Sequence, residues 1–466
     1  MSAVLSVDVG STYTKGVLLE LRAGQAGFRV LARASTPTTV DHLAEGFRKV
    51  HQALLEAAPE GDVPVYFSSS AKGGLSIAAV GLVPDLTLKT ARLTALSAGG
   101  KVTSVHAYKL TRRDLEALEQ EEPDIVLLAG GTEGGNESYV RHNAAALASC
   151  EGLRERSTVV YAGNQVLADE VVELLAGRGF DVRPAPNVLP EIDRVEPDGA
   201  RERIREVFLQ RIVRGKGLDE IVALAGRPPL PTPKAVLQLV EAFPRQAPDF
   251  GEFLLVDMGG ATTDVYSYSP GEPSGERVVY RGLPEPVVKR TVEGDLGMRV
   301  SARSAARLAE VAPVEREAFE AFVERVHREP GRLASGPAEQ ALDRHLARAC
   351  LRQALLRHAG THRRVFTAAG ETFVQSGKDL RAVRRLIGAG GYLSGAEDFC
   401  LEEALRDLAN PSGERVPLVP RHLEDLRDRD SLFPLLGNLV GDFEEAAVQT
   451  ALHSLVPGPI HVPCRG

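Results

Sequence analysis

Two stretches of the chain place an apolar strand on each side of a short polar turn. Residues 5–19 read Leu-Ser-Val-Asp-Val-Gly-Ser-Thr-Tyr-Thr-Lys-Gly-Val-Leu-Leu, and residues 253–266 read Phe-Leu-Leu-Val-Asp-Met-Gly-Gly-Ala-Thr-Thr-Asp-Val-Tyr. Apolar runs that flank a short glycine-bearing turn predict a β-hairpin. The chain therefore contains two predicted hairpins of the same design, and in both of them an Asp ends the first strand, Asp8 or Asp257.

The rest of the first half alternates between strand and helix patterns. We predict a third strand at residues 28–34, a helix opened by Asp41 and a further strand at 63–68. From about Asp85 to Pro190, short buried strands alternate with helices, and residues 111–114 resemble a capping box. This alternation is typical of a small parallel α/β unit, which we expect as an insertion in the first half.

A boundary is predicted before the second hairpin, because residues 226–233 are rich in proline and residues 244–251 are polar. The second half then restarts with its own hairpin. Its pattern predicts a strand at 278–281, a long helix at 338–358, and a tail helix around 433–452 whose mixed acidic and apolar residues suit packing on a domain surface.

The two turns combine the residue types that hold a phosphate. Glycine lets the backbone approach a ligand closely, and the N–H groups and hydroxyls of a turn can donate to an anion. The carboxylates of Asp8 and Asp257 suit a hydrated Mg²⁺, which prefers one or two carboxylates together with phosphate oxygens. Two such turns can face each other across a cleft.

At these residues the chain resembles the superfamily that holds actin, the heat-shock chaperone ATPases and the sugar kinases. The first turn carries that superfamily's Asp-x-Gly-Ser-x-x-x-Lys spacing at Asp8, Gly10, Ser11 and Lys15, and residues 386–391, Leu-Ile-Gly-Ala-Gly-Gly, resemble its glycine-rich adenosine loop. Residues 127–136 and 292–299 narrow the match, because they are similar to the MutL (GlmL) proteins that are associated with cobalamin-dependent glutamate mutase. The resemblance covers nearly the full length.

The resemblance implies an α/β fold of two duplicated actin-like (ribonuclease H-like) ATPase lobes with an inserted small α/β unit. We expect the first lobe at residues 1–250, the insertion at about 85–190, and the second lobe with the adenosine loop at 251–466. ATP and Mg²⁺ are the implied cofactors.

Phosphoryl transfer needs phosphate donors, a metal anchor and a group that orients the nucleophile. Asp8 and Asp257 are the predicted metal anchors, and Lys15 is predicted to meet the β- and γ-phosphates. The predicted nucleotide contacts are Gly10, Ser11, Thr12, Gly259, Gly260, Thr262 and Thr263 for the phosphates, and Gly388, Gly390 and Gly391 for the adenosine. The orienting group is not settled by the sequence: Glu293, Asp295 and Asp264 are candidates, and a solvated turn is the alternative for the first two.

Two more glycine loops are open to either interpretation. The loop at 68–74 follows a strand and is a nucleotide contact or an ordinary turn. The loop at 130–135 lies where open α/β sheets bind ligands, which makes Glu133 and Asn136 candidates, but a flexible turn explains it equally well.

Composition excludes some classes of function. The formal charge of −8 argues against a general nucleic-acid binder, and no apolar run has the length needed to cross a membrane. The chain enters a strand directly, without a signal segment, so a cytoplasmic location is expected. The four cysteines, at 150, 350, 400 and 464, are scattered, which favours reduced thiols.

Several functions share these motifs. The resemblance implies an ATP-dependent reactivating chaperone for an adenosylcobalamin-dependent glutamate mutase or a related aminomutase. The alternatives are a small-molecule kinase of the same fold, an ATPase that delivers electrons to a dehydratase, which the scattered cysteines speak against, and a filament protein. The chain has no Asp-x-His-x-x-Gly string, the usual cobalamin-ligand motif, so we do not expect it to bind cobalamin in that way.

Overall fold

The first predicted hairpin is present. A computed structural model describes residues 2–22, 24–39, 41–70, 75–213, 217–270, 278–367, 370–409 and 414–459. Strands β1 (Ser2–Val9) and β2 (Tyr13–Leu21) pair antiparallel, and they are followed by β3 (Arg29–Pro37), helix α1 (Leu43–Leu55) and β4 (Val65–Ser69). Strand β3 pairs with β2, β4 lies parallel to β1, and α1 buries Phe47, Val50 and Leu54 in the core beneath them.

The inserted unit is a parallel five-stranded sheet. Its elements are β5 (Ser76–Gly81), α2 (Lys89–Ser97), β6 (Lys101–Ala107), α3 (Arg112–Glu121), β7 (Ile125–Leu128), α4 (Glu137–Ala148), α5 (Glu151–Arg154), β8 (Thr158–Tyr161), α6 (Ala168–Ala176) and β9 (Asp181–Pro184). The strand order is β6-β5-β7-β8-β9, every neighbouring pair is parallel, and Thr111 and Asp114 form the predicted capping box. The sheet begins earlier than the expected start at Asp85, because that residue lies in the crossover after β5, in a π-helical turn at Pro84–Leu88.

A helix replaces part of the predicted boundary. After the insertion come α7 (Asp198–Val213), α8 (Leu218–Ala225), β10 (Leu230–Pro231) and α9 (Thr232–Gln246). The boundary was predicted from the prolines of this segment, but the prolines at 233 and 244 fit the two ends of a helix. Pro233 lies in the first turn of α9, where no backbone N–H is required, and Pro244 lies in its last turn. Strand β10 completes the first sheet, whose order is β10-β4-β1-β2-β3.

The second half contains two sheets. Its strands are β11 (Phe253–Met258), β12 (Thr263–Tyr268), β13 (Val278–Tyr280), β14 (Val288–Glu293), β15 (Thr361–Thr367), β16 (Gly370–Ser376), β17 (Arg385–Ala389), β18 (Arg415–Pro417), β19 (Glu424–Arg427) and β20 (Val456–Pro457). Its helices are α10 (Ala302–Ala306), α11 (Arg316–Arg328), α12 (Gly336–His358), α13 (Gly390–Leu393), α14 (Leu401–Leu405), α15 (Phe433–Gly437) and α16 (Val440–Ser454). The larger sheet has the order β14-β12-β11-β17-β19-β20, and the smaller one the order β13-β16-β15-β18.

The two hairpin-bearing sheets are duplicates of each other. Reading the first as β10-β4-β1-β2-β3 and the second as β19-β17-β11-β12-β14 matches every strand in order. Each matched pair also has the same direction: the hairpin and the third strand are antiparallel, and the two outer strands are parallel to the first strand of the hairpin. The α/β fold with two duplicated lobes is therefore confirmed, while the predicted lobe boundaries stay predictions.

Helices α9, α15 and α16 lie between the duplicated sheets. One apolar core joins them to side chains of both hairpins, among them Val17, Leu19, Leu255 and Tyr266. The predicted tail helix is broken into α15 and α16, and α16 buries one side in this core while residues on its other side stay exposed. At the break, Gly437 lies directly against the backbone of Ala235 in α9, so a side chain has no room there.

Two smaller observations concern the cysteines and the membrane. Cys150, Cys350 and Cys400 are free thiols, and Cys464 lies outside the described residues. In the described part of the chain, none of the helices combines the length and the apolar character that crossing a bilayer requires.

Candidate functional site

The turns of the two hairpins have the same backbone geometry. The N–H of Gly10 donates to the carbonyl of Tyr13 at 3.0 Å, and the N–H of Gly259 donates to the carbonyl of Thr262 at 2.9 Å. A Cβ on Gly10 would lie 2.7 Å from the Tyr13 oxygen, so this tight turn requires glycine. The duplication therefore extends from the sheets to the two turns that were predicted to hold phosphate.

Asp8 is held by hydroxyls from two distant parts of the chain. Its Oδ1 accepts hydrogen bonds from Ser68 at 2.8 Å and from Thr232 at 2.6 Å, residues that lie at the end of β4 and the start of α9. Burial raises the pKa of the Asp8 carboxyl, although both hydrogen bonds and the charge of Lys15 act in the opposite direction. The carboxylate is thus fixed in position and costly to ionise without a cation.

Asp257 occupies the same place in the second hairpin. It lies opposite Asp264 in the strand register, just as Asp8 lies opposite Lys15 in the first hairpin. Burial raises the pKa of Asp257 to about 7, and the charges of Asp264 and Asp8 add to the shift. The charge of Asp8 thus acts on the ionisation of Asp257.

Sequence reasoning missed a third carboxylate, Asp428. It follows β19 and accepts hydrogen bonds from the N–H groups of Leu432, at 2.8 Å, and Phe433, at 3.0 Å, at the start of α15. Burial raises its pKa to about 6. The available signal was an Asp a few residues before a Pro at a helix start, which is a typical capping position.

The charge of Lys15 acts on all three carboxyls. Its Nζ donates to Ser431 Oγ at 3.1 Å, and its charge lowers the pKa of all three carboxyls, Asp8, Asp257 and Asp428. One lysine does not balance three carboxylates of which Asp428 is buried and Asp8 and Asp257 are partly buried, so the cluster favours an additional cation.

The cluster fits Mg²⁺. In the described residues there is no group of three His, Cys, Asp or Glu side chains close enough to enclose a metal. Mg²⁺ does not need one, since it keeps several waters and uses one or two carboxylates with phosphate oxygens. Asp8 and Asp257 are the residues that would hold it, and a bound cation would offset the cost of ionising both carboxyls.

The predicted phosphate contacts divide into two groups. Ser11 and Thr12 are exposed, and Gly10, Gly259, Gly260 and Thr262 are partly exposed. Thr263 is fully buried in β12, and its hydroxyl donates to the carbonyl of Leu296 at 2.8 Å. A phosphate role for the Thr263 hydroxyl is therefore withdrawn, because strand alternation turns this side chain into the core.

The predicted adenosine loop is mostly strand. Residues 386–389 lie in β17, where Gly388 is buried against the side chains of Arg427 and Leu401, so we withdraw it as a ligand contact. Gly390, with φ of +86°, packs against Asp257 and Met258, and Gly391 faces open space. Gly390 thus positions Asp257, while Gly391 remains the candidate for close approach by a nucleotide.

A depression that begins directly after α13 has the size of a small ring system. It has a volume of about 160 Å³ and is lined by residues 394–397, Arg427, Arg429 and residues 457–459. The hydroxyl of Ser394 is buried and has no hydrogen-bond partner among the described residues. A buried polar atom without a partner is costly, which makes this hydroxyl a candidate contact for a base.

Glu293 is not in a solvated turn. It ends β14, is 5% exposed, and accepts a hydrogen bond at 2.7 Å from Arg357, which also pairs with Asp295. Its other carboxylate oxygen, Oε1, is buried without a hydrogen-bond partner in the described part of the chain. Glu293 therefore keeps one free acceptor for a water molecule, whereas Asp295 is an exposed ion-pair partner.

The described residues of the other two glycine loops make contacts within the protein. In the loop at 130–135, the Glu133 carboxylate accepts from Asn187 at 2.8 Å and from the N–H of Gln165, which supports the interpretation as a folded turn. Asn136 caps α4. In the loop at 68–74, Ser68 reaches Asp8, and residues 71–74 lie outside the described residues.

Comparison with known proteins identifies the family. The sequence profile described as MutL protein matches residues 4–455. The chain belongs to the MutL family. Protein MutL of Clostridium tetanomorphum is 35% identical over 469 residues, a match that covers 98% of this chain and 100% of the relative. The family predicted from residues 127–136 and 292–299 is confirmed.

Solved structures that are similar to this MutL family member have lower sequence identity than the Clostridium tetanomorphum protein. A glycerol dehydratase reactivase matches 94% of this chain and 99% of its own, with 10% identity and a TM-score of 0.37. The xylulose kinase of Rhodospirillum rubrum matches 99% of this chain and 94% of its own, with 15% identity and a TM-score of 0.34.

Proposed function

We propose that this MutL family member binds Mg-ATP between its two hairpin turns and hydrolyses it. The observation that carries the proposal is the matched pair of carboxylates, Asp8 and Asp257, each at the end of the first strand of a duplicated hairpin. The charge of Lys15 lowers the pKa of both carboxyls. A bound Mg²⁺ supplies charge stabilisation for the phosphates and the leaving group.

The chain's own residues supply the remaining parts. Asp8 and Asp257 hold the cation, Lys15 neutralises the β- and γ-phosphates, and the N–H groups and hydroxyls of the two turns donate to the phosphate oxygens. Glu293, with its unpartnered buried oxygen, orients the attacking water. Gly391 and Ser394 approach the adenosine.

ATP turnover in this account services an adenosylcobalamin-dependent glutamate mutase or a related aminomutase. Membership of the MutL family supports a mutase as the partner. The duplicated fold supports a mechanism in which the two sheets move. Helices α9, α15 and α16 lie between the two sheets, so a change in the cleft between the turns moves the sheets relative to each other. The two nucleotide states then differ in their affinity for the mutase.

The inserted sheet is the surface that we propose for the mutase. Loops that follow β5, β6, β8 and β9 expose Val83, Tyr108, Val166 and Ile192, with exposed fractions of 42%, 56%, 65% and 67%. Strands of a parallel sheet end at the same edge, so these apolar side chains lie on one side of the unit. Exposed apolar side chains grouped on one side are typical of an interaction surface.

The products of ATP turnover test this proposal. We expect the purified chain with Mg-ATP to release inorganic phosphate without a phosphoryl acceptor, and to release it faster when the mutase is added. Phosphate release and metabolite phosphorylation are measured in the same reactions. Turnover that requires a small metabolite and leaves that metabolite phosphorylated would replace the ATPase by the kinase alternative.

A further inference from the structure

Helix α2 joins the inserted unit to the second lobe. It packs against β14, which is the edge strand of the second hairpin-bearing sheet. At its start, Lys89 pairs with Glu285 at 2.7 Å and donates to the carbonyl of Leu283 at 2.8 Å. Polar contacts with the second lobe thus fix the helix at its N-terminal end.

A buried arginine holds the other end of α2. Arg290, on β14, has a side chain that is 2% exposed, and its Nη1 donates to the carbonyls of Leu96 and Gly100. The last carbonyls of a helix have no partner within the helix, and a cation is favourable there. Arg290 therefore anchors the C-terminal end of α2 and the residues that follow it.

The same guanidinium is paired with the second hairpin. Its Nε and Nη2 donate to Asp264 Oδ1 at 3.0 and 2.6 Å. The other oxygen of Asp264, Oδ2, accepts a hydrogen bond from the Thr262 hydroxyl at 3.2 Å. A continuous chain of hydrogen bonds thus runs from the turn of the hairpin through Asp264 and Arg290 to α2.

Thr262 is the residue at which a nucleotide would act on this chain of bonds. A hydroxyl has one proton to donate, so Thr262 donates either to Asp264 or to a phosphate oxygen. Asp264 also lies opposite Asp257 in the strand register, next to the proposed metal anchor. Asp264 therefore belongs to the chain of hydrogen bonds and also lies beside the carboxylate that is proposed to hold the cation.

We propose that Thr262, Asp264 and Arg290 couple the nucleotide site to the inserted unit, with Arg290 as the positioning residue for α2. The inference rests on the proposed ATP site. When the Thr262 hydroxyl donates its hydrogen bond to a phosphate oxygen, Asp264 loses that donor and draws Arg290 towards the hairpin. The bonds from Arg290 to the carbonyls of Leu96 and Gly100 weaken, and the C-terminal end of α2 loosens.

Hydrogen exchange of the segment 89–101 tests the coupling. In the wild type, saturating Mg-ATP is expected to increase amide exchange in this segment at least about threefold, because local opening follows the loss of anchoring bonds. Thr262→Val lacks the hydroxyl proton, so its exchange in this segment is expected not to respond to ATP. The matched control is Thr372→Val, which removes a hydroxyl from β16, away from both turns, and should keep the response.

The outcomes separate this inference from the proposed function. Calorimetry establishes the ATP concentration that saturates each variant before exchange is measured. If the wild type binds ATP and segment 89–101 does not respond, or if Thr262→Val responds fully, the coupling is refuted while the ATP site stands. If the wild type binds no ATP, the proposed function itself fails. Arg290→Met combined with Asp264→Asn, which leaves no buried charge unpaired, should show fast exchange with and without ATP.

Discussion

Replacing Asp257 with Asn, or Asp8 with Ala, is expected to lower the rate of ATP turnover about 100-fold or more. Each carboxylate is held in one orientation, Asp8 by the hydroxyls of Ser68 and Thr232 and Asp257 by its packing against Gly390. A neutral side chain removes half of the charge that anchors the cation, so stabilisation of the transferring phosphate is lost as well. Steady-state phosphate release measures the effect.

The control is Asp430→Asn, which removes a carboxylate from an exposed ion pair with Arg33 and leaves Asp8, Asp257 and Asp428 in place. It should keep most of the activity. Thermal unfolding verifies that each variant is folded. Wild-type turnover by folded Asp8→Ala or Asp257→Asn protein would remove these residues from the site.

Because the pKa values of these carboxyls are raised, we expect their effect on the free energy of unfolding to depend on pH. The pKa of Asp257 is raised from 3.8 to about 7, so between these values the folded protein binds more protons than the unfolded protein. The contribution of Asp257 to the free energy of unfolding of the nucleotide-free protein therefore falls as the pH rises through this range. Mg²⁺ binds the ionised form, so its stabilising effect grows with pH, and Asp257→Asn should reduce both trends.

Gly390→Ala is expected to impair folding stability and ATP turnover together, whereas Gly391→Ala should preserve the fold. A Cβ on Gly390 would lie 2.6 Å from Asp257 Oδ1 and 2.7 Å from the Met258 nitrogen, and the backbone φ of +86° is unfavourable for alanine. Strain of this kind costs about 1–3 kcal/mol before the displacement of Asp257 is added. The neighbouring Gly391 has a φ outside the left-handed region and nothing near its Cβ position.

Chemical denaturation and phosphate release, measured on both variants, test this pair. The two variants have the same amino-acid composition, and each replaces a glycine of α13 by alanine. They therefore differ only in the surroundings of the replaced residue. Equal stability and equal turnover of the two variants would show that Gly390 does not support Asp257. Calorimetry with ATP then asks whether Gly391→Ala weakens nucleotide binding, as its open surface next to Ser394 leads us to expect.

The hairpins were predictable from the sequence because they are local. Each consists of two adjacent apolar strands and one turn, so the pattern of a single stretch contains all the information. Their repetition at Asp8 and Asp257 then predicted the duplicated fold and the metal anchors. The short strands of the insertion were recognisable for the same reason, since Ile125–Leu128 and Thr158–Tyr161 are compact apolar runs.

The rest of the site was hidden because it is assembled from distant segments. Ser68 and Thr232 reach Asp8 only because β4 and β10 pair in parallel beside β1, and Asp428 arrives in the same way beside β17. Local pattern does not reveal which strands become neighbours. It also did not reveal which side of a strand faces the cleft, which is why Thr263 and Gly388 were assigned to the nucleotide although both are buried.

Recovery of mutase activity tests the central claim most directly. An adenosylcobalamin-dependent glutamate mutase, or a related aminomutase, is inactivated by turnover and then incubated with this protein, Mg²⁺, fresh adenosylcobalamin and either ATP or ADP. The account predicts recovery with ATP, little recovery with ADP, and none when Asp8→Ala replaces the wild type, because a nucleotide changes the partner only through its different affinity for two states. Recovery that is equal with ATP, with ADP and with Asp8→Ala would contradict it.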